Sequence, residues 1–94
     1  MSLRFEWDPK KAEANLTKHH VSFEEALTVF TDPLARIFPD EEHSIDQFRE
    51  SLIGHSARRQ LLLVNFIAIN DRVRIISARK ATRRERKDYE ENVG

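Results

Sequence analysis

Residues 61–72 read LLLVNFIAINDR, and they decide the fold. Residues 61–69 are almost wholly apolar and rich in branched side chains, a pattern typical of a central strand covered on both faces. Asn70-Asp71 is typical of a turn. Polar and apolar residues then alternate from Arg72 to Ala78, which predicts a second strand. Because the connection is so short, the two strands should be antiparallel.

Helices are predicted before and after this strand pair. Asp8-Pro9 should begin a helix that runs to about His19, because aspartate caps free N–H groups and proline suits the first helical position. Ser22–Glu25 and Thr82–Glu85 both have the pattern of a capping box, so each predicts the start of another helix. The helix that follows Ser22 should end before Asp32-Pro33, since a residue before proline avoids helical dihedral angles.

Three more strands are expected, at residues 3–7, 34–38 and 48–54. The predicted order is β-α-α-β-β-β-β-α. A chain of 94 residues has room for one sheet and two or three helices, so residues 1–94 should form a single domain. The predicted class is α+β, with helices packed on an antiparallel sheet.

Composition excludes several kinds of protein. The chain has no cysteine, which excludes disulfides, zinc–thiolate sites and a cysteine nucleophile, and fits a reducing cytosol. No apolar run approaches the roughly 20 residues that a membrane-spanning helix needs. The N-terminus has no apolar secretory segment. We therefore expect a cytoplasmic protein without membrane contact.

The charges are balanced in number but not in position. The chain has 16 basic and 16 acidic residues, yet residues 72–87 hold eight Lys or Arg and one acid, Glu85. Such a segment favours an anionic partner, although in an arbitrary protein a solvated charged face is the commoner explanation. His43 lies in an acidic stretch and could join Asp40 or Glu42 on a metal, but such loops are usually only solvated. No metal or other cofactor is expected.

Several blocks of residues are together more specific than any single motif. They are FEWDPKKA at 5–12, Asn15-Leu16, His19, VSFEEA at 21–26, Phe30, DPLA at 32–35, Ile53-Gly54, Ser56, RIISARKAT at 74–82, Glu85-Arg86 and Tyr89. In this order, over nearly the whole chain, they resemble the BrnT family of bacterial toxins. One departure is His20, where the family usually has a glycine suited to a left-handed helix C-cap.

The resemblance implies both a fold and a function. It implies a RelE-like compact domain that is an endoribonuclease, works without a metal and arrests translation. It also implies a partner, a BrnA-like antitoxin that carries a ribbon-helix-helix DNA-binding segment. Promoter DNA would then be bound only through the antitoxin.

Cationic candidates for the site lie at the C-terminal end of the chain. Arginine suits phosphate because its planar fork meets two oxygens at once, which makes Arg74 and Arg79 candidate catalytic residues. The residues expected to bind nucleic acid are Lys80, Arg83, Arg84 and Arg86. In a flat strand Arg74 and Arg79 would point to opposite faces, because their separation is odd. They converge only if the chain turns or bulges near Ser77-Ala78.

Candidates for proton transfer are less distinct. His55 follows a strand, and the reference pKa of a histidine side chain, near 6.5, suits proton transfer; the alternative, an ordinary loop histidine, has at least equal weight. Tyr89 could donate a proton if nearby cations lower its pKa; its alternative role is to pack the last helix onto the sheet. A non-catalytic module that binds nucleic acid or the antitoxin would use the same cations, so the sequence leaves that function open.

Overall fold

The computed structural model describes residues 3–40 and 49–93. Its elements are β1 (Arg4–Glu6), α1 (Pro9–His19), α2 (Phe23–Val29), β2 (Arg36–Pro39), β3 (Arg49–His55), β4 (Leu61–Ile69), β5 (Arg72–Lys80) and α3 (Arg83–Val93). This order confirms the predicted α+β class. Residues 41–48 lie outside the described ranges, and with them Glu42, His43 and the predicted start of β3 at Phe48. No helix within these ranges is long and apolar enough to cross a membrane.

All five strands form one sheet, in the order β1-β5-β4-β3-β2. β4 lies in the middle, as its apolar sequence predicted. The strands from β2 to β5 are antiparallel, whereas β1 pairs with β5 in parallel, so the sheet as a whole is mixed. A tight turn fixes the direction of β5 but not that of β1, which is far away in sequence. At that turn Ile69 pairs with Arg72, and Asn70 has a left-handed φ of 57°.

The main core lies between the sheet and the helices α1 and α2. Its buried residues are Val21, Phe23, Ala26, Val29, Leu52, Leu62, Val64, Phe66, Val73, Ile75 and Ala78. The ring of Phe30 stands edge-on to those of Phe5 and Phe66, with centroids 5.0 and 5.1 Å apart. Burying one large apolar side chain contributes about 1.5–3 kcal/mol, so each of the large residues in this layer stabilises the fold strongly.

The two predicted capping boxes form differently. At α3 the bonds are reciprocal, because the Glu85 N–H donates to Thr82 Oγ1 (3.1 Å) and the Thr82 N–H donates to Glu85 Oε1 (2.8 Å). At α2 the Glu25 N–H donates to Ser22 Oγ (3.0 Å), but the Glu25 carboxylate is used elsewhere. It is buried, and it accepts hydrogen bonds from Ser56 Oγ (2.6 Å) and Gln60 Nε2 (2.9 Å). Glu25 therefore ties the loop between β3 and β4 to α2.

His20 ends α1 in the left-handed conformation that glycine adopts most readily. Its φ and ψ are 59° and 30°, and its N–H donates to the Leu16 carbonyl oxygen at 2.9 Å. For a residue with a Cβ atom this conformation is less stable by roughly 1–2 kcal/mol. The helix end therefore has the shape expected for glycine, at some cost in stability.

Candidate functional site

The side of the sheet away from α1 and α2 is called the open face. Among the described helices, α3 is the one that lies on it, at one end, where Tyr89 packs with Ile53, Leu61 and Leu63. Strand register gives the other side chains on this face. They include Glu6, Arg74, Arg79, Asn65, Ser51, His55, Arg36 and Phe38.

A β-bulge in β5 brings Arg74 and Arg79 to the same face. Asn65 pairs with Ser77 but Phe66 pairs with Ile75, so Ile76 is an extra residue. On the covered side, Ile75 and Ala78 consequently both reach the main core although they are three residues apart. From the sequence, a turn or bulge near Ser77-Ala78 was required for Arg74 and Arg79 to converge. The structure has this bulge, and both arginines lie on the open face.

Asn15 holds β5 in place just after the bulge. Its Nδ2 donates to the Ala78 carbonyl oxygen (2.8 Å), and its Oδ1 accepts from the Ala78 N–H (3.0 Å). Nδ2 also donates to the carbonyl oxygen of Val21 (2.9 Å). β1 pairs with β5 only at residues 72–74, so this buried side chain supplies the bonds that a neighbouring strand would make at Ala78.

A row of polar side chains crosses the middle of the open face. Ser51 Oγ donates to Asn65 Oδ1 (2.7 Å), and Asn65 Nδ2 donates to Ser77 Oγ (2.9 Å). The three residues lie on three adjacent strands, β3, β4 and β5. Sequence reasoning missed this row, although the signal was present: Asn65 is the one polar residue in the apolar segment 61–69.

Both candidate arginines are held by carboxylates. Arg79 makes a two-pronged bond to Glu85, with nitrogen–oxygen distances of 2.8 and 2.9 Å. This hydrogen bond is the main reason that the pKa of Arg79 is raised and that of Glu85 is lowered. Arg74 Nη1 lies 3.1 Å from Glu6 Oε2 in a more exposed pair. A guanidinium has five N–H donors, so each arginine retains donors for a phosphate.

His55 is held by a partly buried carboxylate, that of Asp32, which was not among the site residues predicted from the sequence. The His55 N–H donates to Asp32 Oδ2 at 2.7 Å, and Nδ1 lies 3.9 Å from the same oxygen. Burial alone would raise the pKa of Asp32, but backbone hydrogen bonds from His55 and Leu34 outweigh it and lower the pKa. Gly54 permits this approach, because a Cβ there would lie 2.9 Å from Asp32 Oδ2. A glycine within an apolar strand was the available signal.

Tyr89 packs α3 onto the open face, the alternative role that its sequence position allowed. Its ring is buried against the open face and lies 5.5 Å from the His55 ring, centroid to centroid. Its hydroxyl donates to Asp32 Oδ2 at 3.4 Å. Burial raises the pKa of Tyr89, and the charge and hydrogen bond of Asp32 raise it further. The condition for Tyr89 as an acid, a pKa lowered by cations, is not met.

The residues predicted to bind nucleic acid gather at one end of the sheet. The Ala81 N–H donates to the Leu61 carbonyl oxygen (2.9 Å), which brings the start of α3 beside the loop between β3 and β4. The exposed cations at this end are Lys80, Arg83, Arg84 and Arg86, together with Arg58 and Arg59 from the loop. In the described part of the chain none of them forms an ion pair. Those same ranges hold no group of three or more residues arranged to bind a metal.

The fold and the site define a class: a small α+β protein with one helix-covered sheet face and one open face rich in arginine. A family model described as "Ribonuclease toxin, BrnT, of type II toxin-antitoxin system" matches residues 7–85. The chain belongs to this family, which confirms the resemblance seen in its motifs. No curated protein matches the chain.

A solved structure supports the fold assignment. The chain is similar to the crystal structure of the Brucella abortus ribonuclease toxin BrnT, with a TM-score of 0.68 and 24% sequence identity. The match covers 87% of this chain and 100% of that one. The two chains therefore share their fold over almost their whole length.

Proposed function

We propose that this chain is a cytosolic endoribonuclease toxin that cleaves RNA on its open face without a metal and thereby arrests translation. Membership of a family of ribonuclease toxins supports the toxin role. The observation that carries the assignment to the open face is the bulge at Ile76. Because of it, Arg74, Arg79 and His55 all lie on one side of the sheet.

In the proposed reaction the RNA attacks itself. His55 takes the proton of a ribose 2′-OH, and the 2′-oxygen forms a bond to the adjacent phosphorus. The bond from phosphorus to the 5′-oxygen breaks, water protonates that oxygen, and a 2′,3′-cyclic phosphate remains. Arg79 stabilises the negative charge that grows on the phosphate oxygens. Glu85 orients Arg79, and Asp32 holds His55 in place.

Strand spacing supports different phosphates as the partners of the two arginines. Arg79 lies opposite Leu63 and His55 lies opposite Leu61, so their Cα atoms are two strands and two residues apart, roughly 12 Å. Side chains of their lengths can meet at one phosphate across that distance. Arg74 is roughly 15 Å from Arg79 along β5, which suits a phosphate further along the same RNA strand. The cations at the end of the sheet would extend the path of the RNA.

The partner of the toxin is proposed to be a BrnA-like antitoxin. The family belongs to type II toxin–antitoxin systems, in which such a partner is expected. A ribbon-helix-helix segment of the antitoxin would bind promoter DNA, and the toxin would reach that DNA only through it. Expression of this chain with and without the neighbouring gene tests the pairing: growth arrest with RNA loss should occur only without it.

The test of catalysis is cleavage of RNA by the purified chain, freed from its partner, in the presence of EDTA. We expect Arg79→Ala to reduce the cleavage rate by about a hundredfold, the usual cost of removing a donor that stabilises developing charge. Arg74→Ala should reduce it less. Lys18→Ala is the matched control, because Lys18 is an exposed cation on α1. Circular dichroism checks that each variant is folded.

Two outcomes would contradict the proposal. If Arg79→Ala cleaves at the parent rate, the site lies elsewhere. If the parent chain binds RNA but never cleaves it, the chain is a non-catalytic binding module.

A further inference from the structure

A groove of about 310 Å³ runs along the open face between β2 and α3. Its floor is the buried side chain of Ile53. The β2 wall consists of Arg36, Ile37 and Phe38, and the α3 wall of Glu85, Asp88, Tyr89 and Asn92. The Phe38 residue is 44% exposed, so an aromatic side chain stands at the rim with much of its surface uncovered. This volume is at the lower end of the range for small-molecule sites.

The groove adjoins both parts of the proposed catalytic site. Tyr89 lines the groove and also contacts the His55 ring. Glu85 lines it and also binds Arg79. A nucleotide whose base entered the groove would therefore have its ribose near His55 and a phosphate near Arg79.

The two walls have opposite charges. Arg36 stands on the β2 wall and Asp88 on the α3 wall, and neither forms an ion pair with any residue of the described chain. The groove therefore offers a donor fork on one side and a two-oxygen acceptor on the other, with an aromatic ring beside them. Such a combination suits a planar ligand that has paired acceptors, paired donors and a face that can stack.

We propose that this groove binds a guanine base of the RNA substrate, next to the bond that is cut. Guanine has two adjacent donors, N1–H and the N2 amino group, for the Asp88 carboxylate. It has two acceptors, O6 and N7, for the Arg36 guanidinium. Adenine, cytosine and uracil lack the adjacent pair of donors. The inference rests on the proposed ribonuclease function, because it assigns the base preference of that same site.

The first experiment measures binding without cleavage. The probes are four 2′-O-methyl tetranucleotides that differ at one position in a uridine background; they cannot be cut, because the attacking hydroxyl is blocked. Binding is followed by the backbone amide shifts of Ile37, Phe38 and Asn92. We expect the guanine probe to bind about tenfold more tightly than the others, as one good two-pronged contact provides.

Variants test the two walls. Asp88→Asn and Arg36→Gln should each remove the guanine preference, and Phe38→Leu should weaken binding of all four probes. Glu91→Gln is the matched control, because Glu91 is an exposed acid on α3 outside the groove. Equal affinity for the four probes, or groove amides that do not shift, would overturn the proposal. So would an unchanged preference in Asp88→Asn.

A second experiment maps the cut sites of the parent and of Asp88→Asn on a long RNA of mixed sequence. We expect the parent to favour guanine at one position near the cut, and the variant to lose about tenfold of that preference. If Asp88→Asn instead weakens antitoxin binding and leaves the cut sites unchanged, the groove is a protein-binding surface and the inference is wrong. If the guanine probe binds but no RNA is ever cut, the proposed function fails and the guanine site stands.

Discussion

The two faces of the same sheet have different compositions. β4 contributes to both: Leu62 and Val64 are fully buried beneath α1 and α2, whereas Asn65 lies in the polar row of the open face. The covered face is packed with apolar side chains; the open face has arginines, a histidine and a groove with charged walls. Because side chains of a strand alternate, one strand can serve stability on one side and recognition on the other. We therefore expect substitutions on the covered face to change stability and substitutions on the open face to change RNA binding or cleavage.

The largest effect on stability is expected from a phenylalanine on the covered side. Phe23 is fully buried, so Phe23→Ala should lower the free energy of unfolding by about 3–5 kcal/mol. Phe38→Ala removes the same atoms from the open face, where the residue is 44% exposed, and should cost less than about 1 kcal/mol. Urea unfolding measures both. Similar losses in the two variants would show that the faces do not divide these roles.

A smaller effect, on RNA affinity alone, is expected from the basic end of the sheet. The double variant Arg83→Ala/Arg84→Ala should bind single-stranded RNA more weakly and with less salt dependence. Two lost phosphate contacts reduce the slope of log affinity against log salt by about 1.4. The control is Lys10→Ala/Lys18→Ala on α1. An unchanged slope in the Arg83/Arg84 variant would mean that these exposed cations are only solvated.

Low pH should destabilise the fold through two carboxylates near the open face, those of Asp32 and Glu85. The folded-state pKa values of Asp32 and Glu85 lie below the usual 3.8 and 4.5. Their stabilisation is therefore present above those usual values and is lost as the pH falls through the folded ones. We expect the free energy of unfolding to fall below about pH 4.5, and to fall less steeply in Glu85→Gln. Chemical unfolding at several pH values, with Glu91→Gln as control, measures this; parallel curves for the parent and Glu85→Gln would contradict it.

The smallest effect is expected on the covered side, at the end of α1. Glycine at residue 20 would remove the cost of a left-handed conformation but would add flexibility to the unfolded chain. His20→Gly should therefore raise the free energy of unfolding by only about 0.5 kcal/mol. Thermal unfolding can detect such a change, and a lower midpoint would show that the imidazole makes a contact worth more than the strain.

Local patterns predicted the fold because they are decided by near neighbours. β4 has the predicted bounds, and the helices begin at the predicted caps, because apolar runs, proline and capping residues act within a few positions. The parallel pairing of β1 could not be predicted in the same way, since it joins residues far apart in sequence. A capping pattern alone could not show that the Glu25 carboxylate would accept hydrogen bonds from Ser56 and Gln60, which are distant in sequence.

The candidate site was predicted in part. The cluster of cations and the family motifs pointed to Arg74 and Arg79, and His55 was chosen as a histidine that follows a strand. The roles given to all three are still predictions. Asp32 was not recognised as a site residue, because its partner, the backbone of His55, is 23 residues away and no local pattern links them. The groove was also missed, because its walls come from β2 and α3, which meet only after folding.

The extra residue at Ile76 divides β5 into two stretches that are out of phase with each other. Up to Ile75 the odd-numbered residues face the helices, whereas Ala78 does so after it. Adding or removing one residue in this strand therefore moves every side chain beyond that point to the opposite face of the sheet. Deletion of Ile76 would put the side chains of one stretch on the wrong face of the sheet: either Arg79 and Ala78 or Arg74 and Ile75 would exchange faces. The number of residues in this strand therefore sets the direction in which its side chains point.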